Sequence, residues 1–362
     1  MKRFKPTKVR LSDVARSADV SLGTASNVFN RPELVREEVR ERVRQIAAEL
    51  QFSGPDAAGR LLMGGRANAV GVLPPGDMPV SFAVGSPYLH ALLRGVAEVC
   101  DAQGANLLII SGAREQKSRA IGNALVDGFV LGNADEIELV EARRRKVPFV
   151  LLDMAAGNKV NSVRVDGRGG ARQAAEHLLK LGHRKFGIIA VQRKPADAVW
   201  HPPSRRARRL QSGFPLDDEK LLGYADALAA AGIAIDSVPI VEAYPPSPWA
   251  EQGAELLLQR APDATAILAM SDKNAVAAIE VAGRLGRRVP DDLSVVGFDD
   301  VEGTAGMTPP LTTVRQDIAA KGRTAAGMLF TGAAPRQLVL PVELVLRGST
   351  APPPPASRRR KP

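Results

Sequence analysis

From residue 69 onwards, short apolar runs alternate with amphipathic segments, and this alternation constrains the fold more than any other feature of the chain. The runs lack the polar alternation of a half-exposed strand, so each is expected to be buried on both faces, as in a parallel sheet. Strands separated by helices indicate a doubly wound α/β architecture. The predicted strands span residues 69–73, 106–110, 129–131, 148–152, 186–190, 240–243, 266–270 and 294–298.

So many strand and helix units exceed one compact sheet, and two parallel-sheet subdomains fit the length better. Ligands of such sheets bind beyond the carboxyl ends of the strands, which predicts a ligand cleft between the subdomains. The expected first subdomain comprises residues 67–161 with about 317–331. The expected second subdomain comprises residues 162–316 with about 332–350.

The first 53 residues have a different pattern, which is typical of a small helical domain. Apolar residues recur at helical spacing over 11–18 and again after Ser21, whose hydroxyl is placed to cap a second helix. Two short helices across a tight turn form a helix-turn-helix, and an amphipathic stretch over 39–50 closes its core. The second helix of this motif enters the major groove. The sequence therefore predicts a DNA-binding domain at 1–53 and a hinge or linker at 54–66.

The distribution of charge supports this interpretation. Thirteen Lys or Arg residues stand against eight Asp or Glu residues up to Arg66, which suits contacts to phosphates. The whole chain carries a net charge of +10, but residues 67–350 carry only +1, so the middle is not itself a nucleic-acid surface. Most of the remaining excess lies in 351–362, where a disordered basic tail is expected.

Other classes of protein are disfavoured. No apolar stretch is long enough to cross a bilayer, and the start of the chain lacks an export signal, so we expect a cytoplasmic protein with no membrane partner. The single cysteine, Cys100, lies on an apolar helix face and is expected to be buried. No histidine cluster with metal spacing, nucleophile elbow or phosphate-binding loop is found. We therefore expect no metal, no cofactor and no enzymatic activity.

Six segments carry motifs that occur together and in the same order in one protein family. They are Asp-Val-Ala at 13–15, the polar helix at 20–30, a hinge-like segment at 55–62, Leu-Gly-His-Arg at 181–184, Val-Val-Gly-Phe-Asp-Asp at 295–300 and Pro-Leu-Thr-Thr-Val-Arg-Gln at 310–316. By these motifs the chain resembles LacI/GalR-family transcriptional repressors from about Leu11 to Gly348. The resemblance implies an all-α helix-turn-helix head followed by an α/β core of two periplasmic-binding-protein-like subdomains.

The function implied by the resemblance is sequence-specific transcriptional regulation, expected to be repression, by a homodimer on a near-palindromic DNA operator. The second helix of each head would enter a major groove, and a leucine at the position of Leu62 would wedge between base pairs. Asn27 stands where relatives often carry arginine, and asparagine pairs bidentately with adenine. The implied DNA-contacting residues are Ser21, Leu22, Gly23, Thr24, Ser26, Asn27, Asn30, Arg60 and Leu62.

The resemblance also places a small-molecule effector in the cleft. A sugar-like ligand is favoured, because carboxylates accept hydrogen bonds from hydroxyls and aromatic rings offer an apolar face. Lys220 stands where relatives usually carry arginine, and it lacks the planar fork of a guanidinium. The implied effector-binding residues are Phe82, Tyr88, Asp153, Lys220, Trp249, Asp272, Asp299 and Gln316. Asp272 and Asp299 also have a purely structural interpretation, as a helix cap and a turn residue.

Three departures from the family pattern concern the stability of the head. Asp19 replaces the usual turn glycine, and aspartate adopts the left-handed conformation at modest cost. Arg10 and Arg36 stand where Ser or Thr usually caps a helix, which should weaken each helix start by about 1 kcal/mol.

The sequence leaves two other functions possible and the role of one segment undecided. A solute-binding protein would share the two-lobed core, and an α/β enzyme fused to a DNA-binding head would share both parts. The segment 194–217 is unusually rich in Arg and Pro. It is interpreted as a lid, an anion site or an insertion, of which the last is the default.

Overall fold

The computed structural model describes residues 9–52, 66–113, 116–155, 157, 159–204 and 214–355 of the chain. The chain forms two compact units, Met1–Ala67 and Asn68–Pro362. The first is a helical head and the second an α/β core. The predicted architecture, a helical head followed by two parallel-sheet lobes, is confirmed.

The head contains three helices around one small core. These are α1 (Leu11–Ser17), α2 (Leu22–Asn30) and α3 (Glu37–Glu49), with a 3-10 turn at Pro32–Leu34 before α3. Val14, Val28 and Val43 from the three helices are buried together. Since isolated helices of this length are marginal in water, the shared core is what stabilises each of them.

The turn and the helix starts of the head follow from local chemistry. Asp19 has a φ of 51°, as predicted for the left-handed turn position. The hydroxyl of Ser21 accepts a hydrogen bond from the backbone N–H of Thr24 at 3.0 Å, which caps α2. Neither Arg10 nor Arg36 caps its helix with its side chain. The backbone N–H of Arg10 instead donates to the carboxylate of Asp13 at 2.9 Å.

The core follows the predicted alternation of strands and helices. Its strands are β1 (Ala69–Leu73), β2 (Asn106–Ile109), β3 (Gly128–Gly132), β4 (Phe149–Leu152), β5 (Asn161–Val165), β6 (Phe186–Val191), β7 (Val199–His201), β8 (Ile240–Ala243), β9 (Ala266–Ala269), β10 (Ser294–Asp299), β11 (Thr312–Gln316), β12 (Gln337–Leu340) and β13 (Val342–Val345). Its helices are α4 (Val80–Ala83), α5 (Pro87–Gln103), α6 (Lys117–Asn123), α7 (Glu136–Arg144), α8 (Gly167–Lys180), α9 (Pro215–Ala230), α10 (Trp249–Arg260), α11 (Asp272–Arg284) and α12 (Ile318–Phe330), with a 3-10 turn at Ile235–Ser237.

The strands form two sheets, one in each lobe. The sheet of the first lobe has the order β12-β5-β4-β3-β1-β2, and its paired strands are parallel. The sheet of the second lobe has the order β13-β11-β10-β9-β6-β8-β7, with antiparallel pairing only at its two edges. Both sheets are covered by helices on both faces, which explains why their central strands are apolar runs.

The chain passes between the lobes three times, after β5, after β11 and between β12 and β13. The first lobe therefore extends through Val165, past the predicted boundary at residue 161. Gln337–Leu340, which was predicted to belong to the second subdomain, pairs with β5 in the first sheet. These two strands escaped prediction because β5 contains a half-buried arginine, Arg164, and β12 is largely exposed at the sheet edge.

Close backbone packing holds α9, the helix that faces the cleft, against α8. A Cβ atom on Gly223 of α9 would lie 2.2 Å from the carbonyl oxygen of Arg168 in α8, so only glycine allows the two helices to approach this closely. The guanidinium of Arg168 also donates two hydrogen bonds to Asp226, at 2.7 and 2.9 Å. Among the described residues, no helix combines the length and the apolar character needed to span a membrane.

Candidate functional site

A cavity of about 290 Å³ lies between the two lobes of the core. It sits at the carboxyl ends of the strands of both sheets, where parallel sheets bind ligands. The first lobe contributes Pro75, Met78, Phe82, Tyr88, Asn133 and Asp153 to its wall. The second lobe contributes Gln192, Arg193, Phe214, Asp217, Lys220, Tyr244 and Asp299.

A chain of polar contacts crosses the floor of the cavity. The Nζ of Lys321, in α12, donates to both carboxylate oxygens of Asp153 at 2.8 Å and to Oε1 of Gln316 at 2.6 Å. The amide nitrogen of Gln316 donates to Oδ1 of Asp299 at 2.5 Å. The hydroxyl of Tyr88 donates to Asp153 at 3.2 Å. Polar side chains from both lobes are thus joined in one network.

The two carboxylates of this network stand on unusual backbone. Asp153, directly after β4, has a φ of 55°, and Asp299, the last residue of β10, has a φ of 124°. Aspartate adopts the left-handed region of Asp153 at modest cost, whereas the backbone of Asp299 favours glycine, and such residues concentrate at functional sites. Both residues line the cavity.

Lys220 is already engaged by protein atoms. Its Nζ donates to the carbonyl oxygen of Met270 at 2.7 Å and lies 4.2 Å from the centre of the Phe298 ring. It also lies 3.4 Å from Oδ1 of Asp217. Lys220 therefore contributes a buried positive charge beneath the cavity.

Burial controls the ionisation of the acidic residues beside Lys220. Burial raises the pKa of Asp217 to about 6, although the neighbouring Lys220 favours its charged form. Burial likewise raises the pKa of Asp299 to about 6, opposed by Lys220 and by the hydrogen bond from Gln316. Two carboxylates that ionise near neutral pH are thus held at one cavity.

Six of the eight predicted effector residues line the cavity, namely Phe82, Tyr88, Asp153, Lys220, Asp299 and Gln316. Trp249 and Asp272 are not part of this lining. Trp249 packs edge-on against Phe82 and Tyr244, with ring centres 6.0 and 5.5 Å apart, and so supports the aromatic wall from behind.

Asp272 is fully buried and holds two strand ends together. Its Oδ1 accepts a hydrogen bond from the Thr313 hydroxyl at 2.5 Å, and its Oδ2 accepts one from the backbone N–H of Val301 at 2.9 Å. Burial and the nearby Asp299 raise the pKa of Asp272 well above its usual value. A Cβ on Gly297 would lie 2.3 Å from Oδ1 of Asp272, so the glycine of the 295–300 motif makes room for this carboxylate.

An ionic cluster joins the two lobes at one side of the cavity. Arg193, which follows β6 in the second lobe, places its Nε 3.4 Å from Oδ1 of Asp77 in the first lobe. Its Nη2 lies 3.7 Å from Asp135 and 4.0 Å from Glu138. The buried Lys117 lies 2.8 Å from Asp77 and 2.5 Å from Glu138. Burial raises the pKa of Asp77, but Lys117 and Arg193 outweigh this effect and hold it below the usual value.

The sequence did not predict Lys321 in the floor of the cavity, Asp217 beside Lys220, or the ionic cluster around Arg193. Lys321 carried one usable signal, because it stands among apolar and small residues of an amphipathic helix. Lys117, Glu138 and Asp217 carried none, since they resemble ordinary surface charges until their partners are known. Arg193 directly precedes the Arg- and Pro-rich segment 194–217, whose default interpretation is an insertion.

A second candidate site lies on the exposed side of α2 in the head. Ala25 and Val28 of this helix are buried, whereas Ser21, Leu22 and Gly23 at its start are exposed. The helix continues with half-exposed polar residues, which are Thr24, Ser26 and Asn27. A helix start with exposed and polar residues suits contact with base edges and phosphates. Asn30 ends the helix, and the predicted hinge contacts Arg60 and Leu62 lie outside the described residues.

Comparisons with known proteins match both units of the chain. The family model of bacterial regulatory proteins of the lacI family matches residues 10–54, and the periplasmic binding protein-like domain matches residues 175–350. An HTH-type transcriptional regulator of Mycolicibacterium smegmatis is 32% identical, over 96% of this chain and 98% of the relative.

Two solved structures resemble this one over 95% of its length and over the whole of each matched chain. One is the transcriptional regulator CelR in complex with cellobiose, with 28% identity and a TM-score of 0.67. The other is the Lac repressor dimer bound to operator and an anti-inducer, with 25% identity and a TM-score of 0.75.

Proposed function

The chain belongs to the LacI family of bacterial transcriptional regulators, and we propose that it represses transcription by binding an operator through α2, under the control of a sugar-like effector in the cleft of its core. This family consists of regulators and not of enzymes, so neither a free solute-binding protein nor a fused enzyme describes the chain. By analogy with the Lac repressor dimer, two copies would present two heads to a near-palindromic site. Since its target is DNA, we place the protein in the cytoplasm.

The observation that carries the proposal is the cavity, because its wall is shared by the two lobes. A ligand that contacts both lobes has a different affinity for each of their relative poses, and only such a difference can shift their equilibrium. CelR binds cellobiose in a structure of the same fold, and the carboxylates of Asp153, Asp217 and Asp299 suit a hydroxyl-rich ligand here.

The cluster around Arg193 supports the coupling of ligand to lobe pose. Arg193 lines the cavity and also faces the acidic residues Asp77, Asp135 and Glu138 of the opposite lobe. A ligand that contacts the guanidinium changes how firmly these ionic contacts hold the lobes. Arg193 can thus contact a ligand in the cavity and also affect the relative position of the two lobes.

The head supports the proposal through its second helix. Its exposed start carries the predicted DNA-contacting residues Ser21, Leu22 and Gly23, and Asn27 follows one turn later. We assign DNA binding to residues 1–53, the hinge to 54–66 and effector binding to the two lobes that follow.

The proposal is tested by selecting bound duplexes from a random pool and then measuring their affinity near physiological salt. The full-length protein is expected to enrich a near-palindromic sequence and to prefer it over random competitor by at least about 1000-fold. Adding cellobiose, D-glucose or D-ribose in turn is expected to change that affinity for at least one sugar. Absence of any duplex preference would overturn the proposal, whichever sugar is present.

A further inference from the structure

Among the described residues that line the cavity, four polar atoms are buried without a hydrogen-bond partner, and all four belong to the second lobe. They are Oδ2 of Asp217, Oε1 of Gln192, the hydroxyl of Tyr244 and Nη2 of Arg193. All four residues line the cavity, and Asp217 and Tyr244 are only 3% and 2% exposed. Buried polar atoms in native proteins nearly always have a partner. Four exceptions around one cavity indicate the position of a bound molecule.

None of the described first-lobe residues that line the cavity has a buried polar atom without a partner. Both carboxylate oxygens of Asp153 accept hydrogen bonds from Lys321, and the Tyr88 hydroxyl donates to one of them. In the second lobe, the amide of Gln316 is engaged at both ends, by Lys321 and by Asp299. The hydroxyl groups of a ligand are therefore recognised mainly by the second lobe.

The charges of the second lobe disfavour an anionic ligand. Asp217 and Asp299 stand beside the buried Lys220, whose best hydrogen bond goes to the carbonyl of Met270 at 2.7 Å. Lys321, which also favours the charged form of Asp299, is already paired with Asp153. Arg193 already faces three carboxylates of the first lobe. Lys273, the remaining cation of the described wall, is exposed to solvent. An added carboxylate or phosphate would meet two buried acids, and the cations Lys220 and Arg193 of the described wall already face a carbonyl oxygen and carboxylates of the protein.

We propose that Asp217 is the residue that determines effector specificity, and that it accepts a hydrogen bond from a hydroxyl of an uncharged carbohydrate. Gln192 accepts a hydrogen bond from a second hydroxyl, and the Tyr244 hydroxyl binds a third oxygen of the same molecule. This assignment rests on the proposed function and narrows it, because it excludes sugar acids and phosphorylated sugars as the preferred effector.

The test is isothermal titration calorimetry on the full-length protein with matched neutral and anionic probes. The neutral probes are cellobiose, D-glucose and D-ribose, and the anionic probes are D-gluconate, D-glucose 6-phosphate and D-ribose 5-phosphate. The best neutral probe is expected to bind at least about tenfold more tightly than its anionic counterpart. Asp217→Asn keeps the size of the side chain and is expected to weaken that binding by about 10- to 100-fold, because a hydrogen bond to a charged group is lost.

Asp218→Asn is the matched control, since Asp218 is the next residue of α9 and is exposed. It is expected to bind each probe as the wild type does. Tighter binding of an anionic probe, or unchanged binding by Asp217→Asn, would overturn the assignment while sugar control of DNA binding still stands. If none of the six probes binds although the selected duplex does, the sugar effector of the proposed function fails, and the assignment of Asp217 with it.

Discussion

The ammonium nitrogen of Lys321 lies 2.8 Å from both carboxylate oxygens of Asp153. Lys321 is fully buried in α12, which begins directly after the chain leaves the second lobe, and Asp153 directly follows β4 of the first lobe. Because Lys321 also donates to Gln316 at the end of β11, the ion pair ties the cavity floor to the crossing between the lobes. The pair therefore has a structural role at the place where a ligand would act.

Replacing Lys321 is expected to destabilise the core strongly. Lys321→Met leaves the carboxylate of Asp153 buried without its cation, which should lower the free energy of unfolding by about 3–5 kcal/mol. The measurement is urea unfolding followed by circular dichroism. Adding Asp153→Asn removes the unpaired charge and tolerates the left-handed backbone, so the double variant should recover most of the loss. A loss below about 1 kcal/mol in the single variant would contradict a stabilising ion pair.

Asp272 is expected to matter for stability and not for effector contact. Asp272→Asn replaces one of the two acceptor oxygens by an amide donor, so either the Val301 N–H or the Thr313 hydroxyl loses its acceptor. We expect a loss of about 1–3 kcal/mol in the free energy of unfolding. Calorimetry below the melting range should show unchanged affinity for the best neutral probe. A large loss of affinity with unchanged stability would instead restore Asp272 as an effector contact.

The sequence predicted those parts of the fold that depend on local pattern. Central strands such as β1 and β3 are continuous apolar runs because they are buried on both faces, and this is visible without a structure. The strands β7 and β12 lie at sheet edges and are partly exposed, so their existence depends on neighbours that are distant in the chain.

The residues of the candidate site also divide into those with a local sequence signal and those without one. Asp153 and Asp299 were predicted because each follows a recognisable strand or motif, and the structure places both at the cavity. Lys321 lies 168 positions from Asp153, and the partner of Arg193 at Asp77 lies 116 positions away. A buried ion pair of this kind has no local signature, because the burial that distinguishes it from surface charges is produced by the tertiary fold.

The stability of the core is expected to fall as the pH rises through the titration of Asp217. Its pKa is about 6 in the folded protein because of burial, above the ordinary value of 3.8, so the folded state holds its proton to higher pH than the unfolded chain. The charged groups that face it are Lys220 and Asp218 of its own helix and Asp299 at the end of β10. The stabilisation linked to this proton is complete below about pH 4 and lost above about pH 6.

The measurement is the difference in unfolding free energy between wild type and Asp217→Asn, from pH 4 to pH 7. The wild type should lose up to about 3 kcal/mol relative to the variant over this range, because one pKa unit corresponds to about 1.4 kcal/mol. Acids that do not face Asp217 titrate alike in both proteins and cancel in the difference. A difference that is constant with pH would contradict the raised pKa.

Removing the guanidinium of Arg193 is expected to weaken communication between effector and DNA. Arg193→Gln abolishes the ionic contacts to Asp77, Asp135 and Glu138, so the two poses of the lobes become closer in free energy. The best neutral probe changes the operator affinity of the wild type by some factor. In Arg193→Gln this factor should be closer to one, by about fivefold or more. Fluorescence anisotropy on a labelled operator measures this ratio.

Lys194→Gln is the control for this experiment, because it removes an adjacent positive charge from an exposed position. Its coupling ratio is expected to equal that of the wild type. If Arg193→Gln and Lys194→Gln behave alike, the ionic cluster does not contribute to the coupling.

In the head, Asn27 is expected to read one base in each half of the operator. Its side chain lies half-exposed on α2, one turn after the exposed start of the helix, and an asparagine amide pairs with N6 and N7 of adenine. Asn27→Ala should cost about 1–3 kcal/mol of binding and relax the preference for adenine at a single position, as seen by repeating the duplex selection. The slope of affinity against salt concentration should stay unchanged, because no phosphate contact is lost.

Gln45→Ala, at an exposed position of α3, controls for general damage to the head. A half-site fixed at guanine and insensitive to Asn27→Ala would exclude this contact, since asparagine lacks the paired donors that guanine requires.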